Sequence, residues 1–275
     1  MHEAYEHCRR LHRRHDPTYY WATRRLPADE RLAVHALYAF VREADEIVDG
    51  PGRAADPAVR RAELDRYEQR LHEALAGEPT RDPAITALVD AGRRHDLPLD
   101  QLDSYFDSMR IDCAPVRMSS WEELESYMQG SAGAVGRILA VLLGAPADRH
   151  ESFASLALAF QLTNFIRDVR EDWELDRVYL PGVSAEQVAR RQPSETFRRM
   201  LAVEVARARE LFSEGAGAGE VVAPRVRRGM SMARSVYLSV LDRTERLDFD
   251  VLRRRVSLPP WELAGAVAQG LRAGA

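Results

Sequence analysis

Residues 153–162 are almost wholly apolar, and they run into Gln161-Leu-Thr-Asn-Phe-Ile-Arg-Asp-Val-Arg-Glu-Asp172. On an α-helix, positions i, i+4 and i+8 drift by only about 40° per step, so Asn164, Asp168 and Asp172 line one face. A core helix that ends in a ladder of oxygen-bearing side chains is costly to desolvate unless something offsets the charge. The fold must therefore turn this tip toward a polar space able to hold a cation. A hard divalent ion, Mg²⁺, suits oxygen ligands, and it prefers one or two carboxylates together with substrate phosphates.

Helical periodicity dominates the rest of the chain. Ala33, Ala36, Leu37, Phe40, Val41 and Ala44 recur at spacings of three and four, so residues 28–48 read as a helix. Pro27 precedes it, Asp29 and Glu30 fill its first turn, and Gly50-Pro-Gly52 stops it. The same pattern predicts helices over about 57–76, 82–95, 98–110, 119–143, 147–172, 193–213, 219–247 and 259–272. Alternating strand-type segments, tandem repeats and low-complexity tracts are nearly absent. The tract Gly215-Ala-Gly-Ala-Gly219 reads as a flexible break between helices that share one core. The expectation is a single all-α domain over residues 1–275.

Composition narrows the chemistry. All 39 basic residues are Arg, with no Lys. Schiff-base catalysis by an ε-amine and a Walker-type phosphate loop are therefore excluded, and phosphate recognition falls to Arg, whose planar fork pairs well with phosphate oxygens. A net charge of -4 gives no reason to expect a nucleic-acid partner. Cys8 and Cys113 form no CxxC pair and read as buried or free thiols in a reducing cytosol. No signal peptide is expected from the polar N-terminus, and the longest apolar stretch, residues 138–147, is too short to span a bilayer. The expected location is cytoplasmic, with at most peripheral contact with a membrane. Small residues at Ser131, Ala132, Gly133, Ala134 and Gly136 imply spatial need, since Gly inside a helix costs about 1 kcal/mol relative to Ala.

A second acid ladder joins the first. Arg42, Asp45 and Asp49 lie at i, i+3 and i+7 near the end of their helix, where the helix dipole disfavours negative charge. Local energetics do not explain these carboxylates, whose ordinary fate would be a solvated surface. Two ladders facing one cavity, with Arg42 and Arg167 interleaved, fit binding and ionisation of a diphosphate.

With both ladders in view, the chain resembles the squalene/phytoene synthase family. Tyr38-Ala-Phe-Val-Arg-Glu-Ala-Asp-Glu-Ile-Val-Asp49 is similar to its first aspartate motif. Gln161 to Asp172, followed by Arg177-Val-Tyr-Leu-Pro181, is similar to its second. The likeness extends to His15-Asp-Pro-Thr-Tyr-Tyr, Leu26-Pro27, Tyr127, Ser131-Ala-Gly-Ala-Val-Gly136 and Tyr237, in the same order over most of the chain. Bacterial phytoene synthases look most alike.

The resemblance implies an isoprenoid synthase fold, a single helical bundle around a central cavity. It implies a Mg²⁺-dependent transferase, with Mn²⁺ as a substitute, that ionises an allylic prenyl diphosphate. Head-to-head (1′-1) condensation of two such substrates would give phytoene or a squalene-type product. The resemblance makes Asp45, Asp49, Asn164, Asp168 and Asp172 metal ligands, directly or through water. Arg42, Arg167 and Arg177 would bind diphosphate, His15 and Thr18 would contact it at the mouth, and Gln161 and Phe165 would contact substrate. Tyr127 and Tyr237 would act on the leaving group or the intermediate. Tyr19, Tyr20, Trp21, Phe40, Phe106, Val135, Leu139, Leu158 and Phe165 could line a prenyl tunnel or form plain core. Arg253, Arg254 and Arg255 could cap the diphosphate, meet anionic lipid or be solvated.

Several positions depart from the family pattern: Asp16, Glu46, Gln129, Arg170 and the pair Leu175-Asp176. They surround the mouth and the second-substrate side, which keeps open transfer of one prenyl group to an aromatic small molecule. A non-catalytic helical binding protein is the third reading, and the intact set of acids argues against it.

Overall fold

A computed structural model of the protein describes residues 1–16, 20, 23–253 and 255–274. Helices dominate. In chain order they are α1 (His2–His15), α2 (Ala28–Asp49), α3 (Pro57–Leu75), α4 (Pro83–His95), α5 (Gln101–Asp112), α6 (Trp121–Met128), α7 (Ala134–Leu142), α8 (His150–Arg167), α9 (Val169–Glu174), α10 (Ala185–Arg190), α11 (Glu195–Glu214), α12 (Pro224–Arg246) and α13 (Pro260–Ala273). Local chemistry sets many starts. Asp56 caps α3 through the Ala58 amide (2.9 Å), Asp82 caps α4 through the amides of Ala84 and Ile85 (3.0 and 3.2 Å), and Ser194 caps α11 through Phe197 (3.1 Å). Proline stands at the first position of α3, α4, α12 and α13, where its missing N–H costs nothing.

Two expected helices are interrupted. The span 119–143 divides into α6 and α7 around a π-helical turn, Gln129–Gly133. The span 147–172 begins with a 3-10 turn, Ala147–Arg149, and breaks at Asp168 (φ -107°, ψ 19°) between α8 and α9. The break is slight, because the Asp168 amide still reaches Asn164 O (2.8 Å) and the Asp172 amide reaches Asp168 O (2.9 Å). The helix expected over 219–247 starts at Pro224, after a 3-10 turn, Gly215–Gly219. Helices α1 and α10 were not expected. The first is rich in Arg and His and buries only Ala4, Tyr5, Cys8 and His12, and the second buries only Val188.

The apolar interior forms two clusters. One gathers α1 to α5 with part of α7, around Phe40, Tyr67, Leu88 and Phe106. The other gathers α6 and α8 to α12, around Leu124, Leu162, Phe197, Phe212 and Leu241, so both sides of the Gly215–Gly219 break share it. Phe40 and Phe106 pack on Tyr67 and on each other in the first cluster, which makes them core. Close backbone approach explains the small residues. A Cβ on Gly136 would lie 2.7 Å from Phe153 O, and one on Gly130 would lie 2.2 Å from both Ser104 O and Ser108 Oγ. Cys8 and Cys113 are free and buried. Among the described residues no helix is long and apolar enough to cross a membrane.

A two-residue parallel pair fastens the two halves. Strand β1 (Val116–Arg117) pairs with β2 (Arg177–Val178) in the register Val116↔Arg177 and Arg117↔Val178. It holds the segment after α5 beside the segment that carries Arg177.

Candidate active site

The ladders approach each other across the seam between the clusters. Helix α2 buries Phe40, Ala44 and Val48 in the first cluster and turns Asp45 and Asp49 the other way. Helices α8 and α9 bury Phe165, Ile166 and Val169 in the second cluster and leave Asn164, Asp168 and Asp172 half-buried. Arg177 joins the two sides. It is buried, and its guanidinium grips Asp49 in a fork: Nη1 donates to Oδ2 at 2.8 Å and Nη2 donates to Oδ1. Nη2 also donates to Asp112 O at 2.7 Å.

Asp112 adjoins these candidates, and the sequence reading did not single it out. It ends α5, is only 3% exposed, and accepts hydrogen bonds from Tyr127 (2.5 Å) and Tyr179 (2.7 Å). The Tyr127 hydroxyl proton is thereby committed to a carboxylate. Burial and Asp112 together push the Tyr127 hydroxyl well above the ordinary phenol range. Tyr179 stacks on Phe165 with ring centres 4.1 Å apart, so an aromatic wall stands beside the acids. Tyr237 lies edge-on to Phe160 (4.6 Å) and close enough to Arg167 to favour its charged form.

The acids are poised unequally. Burial, reinforced by Asp49, pushes Asp45 up to about 7, while Tyr105 donates to it at 3.2 Å. Burial, reinforced by Asp168, pushes Asp172 up to about 8. Asp168 goes the other way. Burial alone would raise it, but Arg167 and Arg255 outweigh burial and hold it below the ordinary range. Arg255 reaches it from the segment after α12, with Nε 2.7 Å from Oδ1. Of the C-terminal arginine run, Arg255 thus points at the site and Arg253 pairs with Asp250, while Arg254 lies outside the described residues.

The remaining candidates sit around this centre. Arg42 pairs with Glu46, and its Nε is buried without a partner. His15 Nδ1 is 3.9 Å from Glu46, and burial followed by Arg42 lowers its basicity. Gln161 is half-buried on α8. Thr18, Tyr19 and Trp21 lie outside the described residues. Arg170 bonds the Arg253 carbonyl (3.1 Å), and Asp176, in a left-handed conformation (φ 62°), pairs with Arg117. Leu175, Asp176, Asp112 and Arg177 border a 270 Å³ cavity behind the site.

The donor set fits a hard cation. Asn164 Oδ1 is buried with no hydrogen-bond partner, beside carboxylates that burial has deprived of solvent. An orphaned carbonyl oxygen among under-neutralised acids is what an oxygen-seeking dication compensates. Asp49 and Asp168 are paired with arginines, whereas Asp45 and Asp172 have no arginine ion pair among the described residues. Among the described residues, the trio with ligand atoms within 4.8 Å of one another lies elsewhere, at Glu68, His72 and Asp103. There Arg110 already offsets Glu68.

The squalene/phytoene synthase family model matches residues 12–262. The 15-cis-phytoene synthase of Synechococcus elongatus is 31% identical over 94% of this chain and 89% of its own. The phytoene synthase of Thermus thermophilus is 32% identical over 93% of this chain and 88% of its own. Among solved structures, the squalene synthase HpnC from Alicyclobacillus acidocaldarius is similar with a TM-score of 0.81 at 30% identity, covering 90% of this chain and 95% of that one. A dehydrosqualene synthase, 22% identical with a TM-score of 0.82, shares the fold over 99% of this chain and 96% of its own.

Proposed function

Because the chain belongs to the squalene/phytoene synthase family, a family of prenyltransferases, we propose that it condenses two prenyl diphosphates head to head to phytoene or a squalene-type hydrocarbon. The observation that supports this reading is Arg177, which forks onto Asp49 of the first ladder and also acts on the charge of Asp172 in the second. In this proposal Arg42, Arg167 and Arg177 bind diphosphate, with His15 and Thr18 at the mouth and Gln161 and Phe165 against the prenyl chain. Asp45, Asp49, Asn164, Asp168 and Asp172 would hold Mg²⁺, or Mn²⁺ in its place. Bound there, the cation would offset the charge that collects on the leaving diphosphate.

The chain's own groups supply the rest. Arginine forks orient the phosphate oxygens. The phenol and phenyl faces of Tyr179 and Phe165 offer π density to a carbocation. Tyr127, whose proton is directed at Asp112, presents oxygen lone pairs rather than a donor to whatever lies on its other side. Tyr237, beside Arg167, would orient the intermediate. Peripheral contact with a membrane belongs to the same proposal, since the product is a hydrocarbon.

Incubation with geranylgeranyl or farnesyl diphosphate alone, with and without Mg²⁺, tests the reading. Hydrocarbon and inorganic diphosphate are expected only with the metal, and Asp45→Ala or Asp168→Ala should each abolish release. Persistent release in both variants sinks the two-ladder site. Diphosphate release with no hydrocarbon from prenyl diphosphate alone, and a prenylated aromatic when an aromatic acceptor is added, would replace the second prenyl diphosphate with that acceptor.

A further inference from the structure

The outermost helix carries an apolar stripe where a surface helix ordinarily carries charge. Helix α13 runs antiparallel along α12. Arg243 and Arg246 hold Glu262 near its start, at 2.8 and 2.7 Å. Near its end the helices touch: a Cβ added to Gly270 would lie 2.5 Å from the Met232 Cα, and one added to Gly274 would lie 2.8 Å from the Arg228 Cα. Ala266, Gly270 and Gly274 are buried and mark the face toward α12. The opposite face, by helical spacing, presents Trp261, Ala264, Gly265, Ala268, Leu271 and Arg272.

That face is unusual for this molecule. Trp261 is 74% exposed and Leu271 37%. Two of the nine exposed large hydrophobics among the described residues thus fall on this face, and a third, Leu263 (42%), lies on the same helix on the side of Ala266 and Gly270. Its surroundings are basic although the chain is acidic overall, at -4. Helix α12 has six arginines against Asp242 and Glu245. Arg225 and Arg228 stand exposed at the end of α12 that meets the C-terminus of α13. Neither they nor Arg272 has an ion-pair partner among the described residues.

The size of the stripe selects its occupant. A helix of this length presents a face of about 200 Å², well below the roughly 800 Å² per partner of a stable protein interface. Shallow insertion of a Trp and a Leu, with cations at headgroup level, needs no larger surface. We propose that the outer face of α13 seats the protein on an anionic lipid bilayer, with Trp261 and Leu271 in the interface and Arg225, Arg228 and Arg272 on the headgroups. The inference builds on the membrane contact proposed above. Vesicle binding is read without substrate and diphosphate release without vesicles, so the two can fail separately.

Co-sedimentation of the full chain with phosphatidylcholine vesicles, with and without phosphatidylglycerol, tests it. Binding is expected to the anionic vesicles and to weaken as salt rises. Trp261→Ser combined with Leu271→Ser should weaken binding by about tenfold or more. Arg225→Gln, Arg228→Gln and Arg272→Gln should each weaken it by about fivefold and, combined, remove the salt dependence. All these positions are exposed, so circular dichroism and the thermal midpoint should match wild type. The proposal is overturned if wild type ignores anionic lipid, or if the serine double variant binds as wild type does. It is also overturned if light scattering reveals a dimer that depends on Trp261, which would make the face an interface between copies.

Discussion

Asp112 illustrates how one residue can organise a site. A carboxylate this buried survives only if its lone pairs are filled, and here two tyrosines and Arg177 surround it. Burial pushes it up to about 6, with Arg177 and the two hydroxyls pulling it back toward the charged form. Asp112→Asn keeps the shape but removes the charge facing Arg177, and its amide can donate where the acid only accepted. We expect kcat/KM for diphosphate release to fall by about 10–100-fold, with KM rising because Arg177, proposed to bind diphosphate, is loosened. Asp112→Ala should cost about 3–5 kcal/mol of stability in urea unfolding, since Arg177 then loses a buried partner. Wild-type kinetics in the Asn variant would remove Asp112 from the site. The sequence concealed this residue for a physical reason. The ladder acids share a helix face, and spacing reveals them. Asp112 stands alone at a helix end, and its partners Tyr127, Arg177 and Tyr179 lie 15, 65 and 67 residues away.

At the scale of the element, most regular helices were legible, α1 and α10 excepted, and the interruptions were not. Apolar spacing and capping residues located α2, α3, α4, α11 and α13 to within a residue or two. The π-helical turn and the break at Asp168 leave the local periodicity nearly intact, because they follow from contacts with other helices. Gly136 was visible as a small residue and Gly130 was not singled out, and the neighbours they accommodate were visible for neither. Their effect is measurable against Gly229, which also lies inside a helix yet has nothing within 4 Å of an added Cβ. Gly136→Ala forces a methyl toward the Phe153 carbonyl and should cost about 1–3 kcal/mol, as overpacking does. Gly229→Ala only restricts the unfolded chain and improves helix propensity, so it should stabilise by about 0.5–1 kcal/mol. Thermal midpoints moving in opposite directions would confirm the contrast, and equal shifts would mean that the α7–α8 approach is slack.

For the whole molecule, two apolar clusters meet at a seam of buried acids, an arrangement that sets function against stability. The all-α class and both ladders were legible in the chain. The seam was not, since it exists only once α2 and α8 are packed. Asp172 gives the tension a sign. Its folded carboxyl titrates at about 8, against an ordinary value of 3.8, because burial and Asp168 oppose its charge. Between those two values the folded chain keeps a proton that the unfolded chain has released. Without metal, its contribution to stability therefore declines as pH rises through that window and is lost above it. Buried His12 and His35 act oppositely: burial lowers them to about 3 and about 4, so they weaken the fold as pH falls below 6.5. Comparing Asp172→Asn with wild type at each pH cancels the histidine contribution. In chelator, the variant's advantage should grow with pH and reach about 2–4 kcal/mol at pH near 8.5 by urea unfolding, while its activity is lost. Added Mg²⁺ should reverse the order, raising the midpoint of the wild type, whose full set of acids would hold the ion, more than that of the variant. An advantage that does not change with pH would mean that Asp172 is not held protonated by the seam.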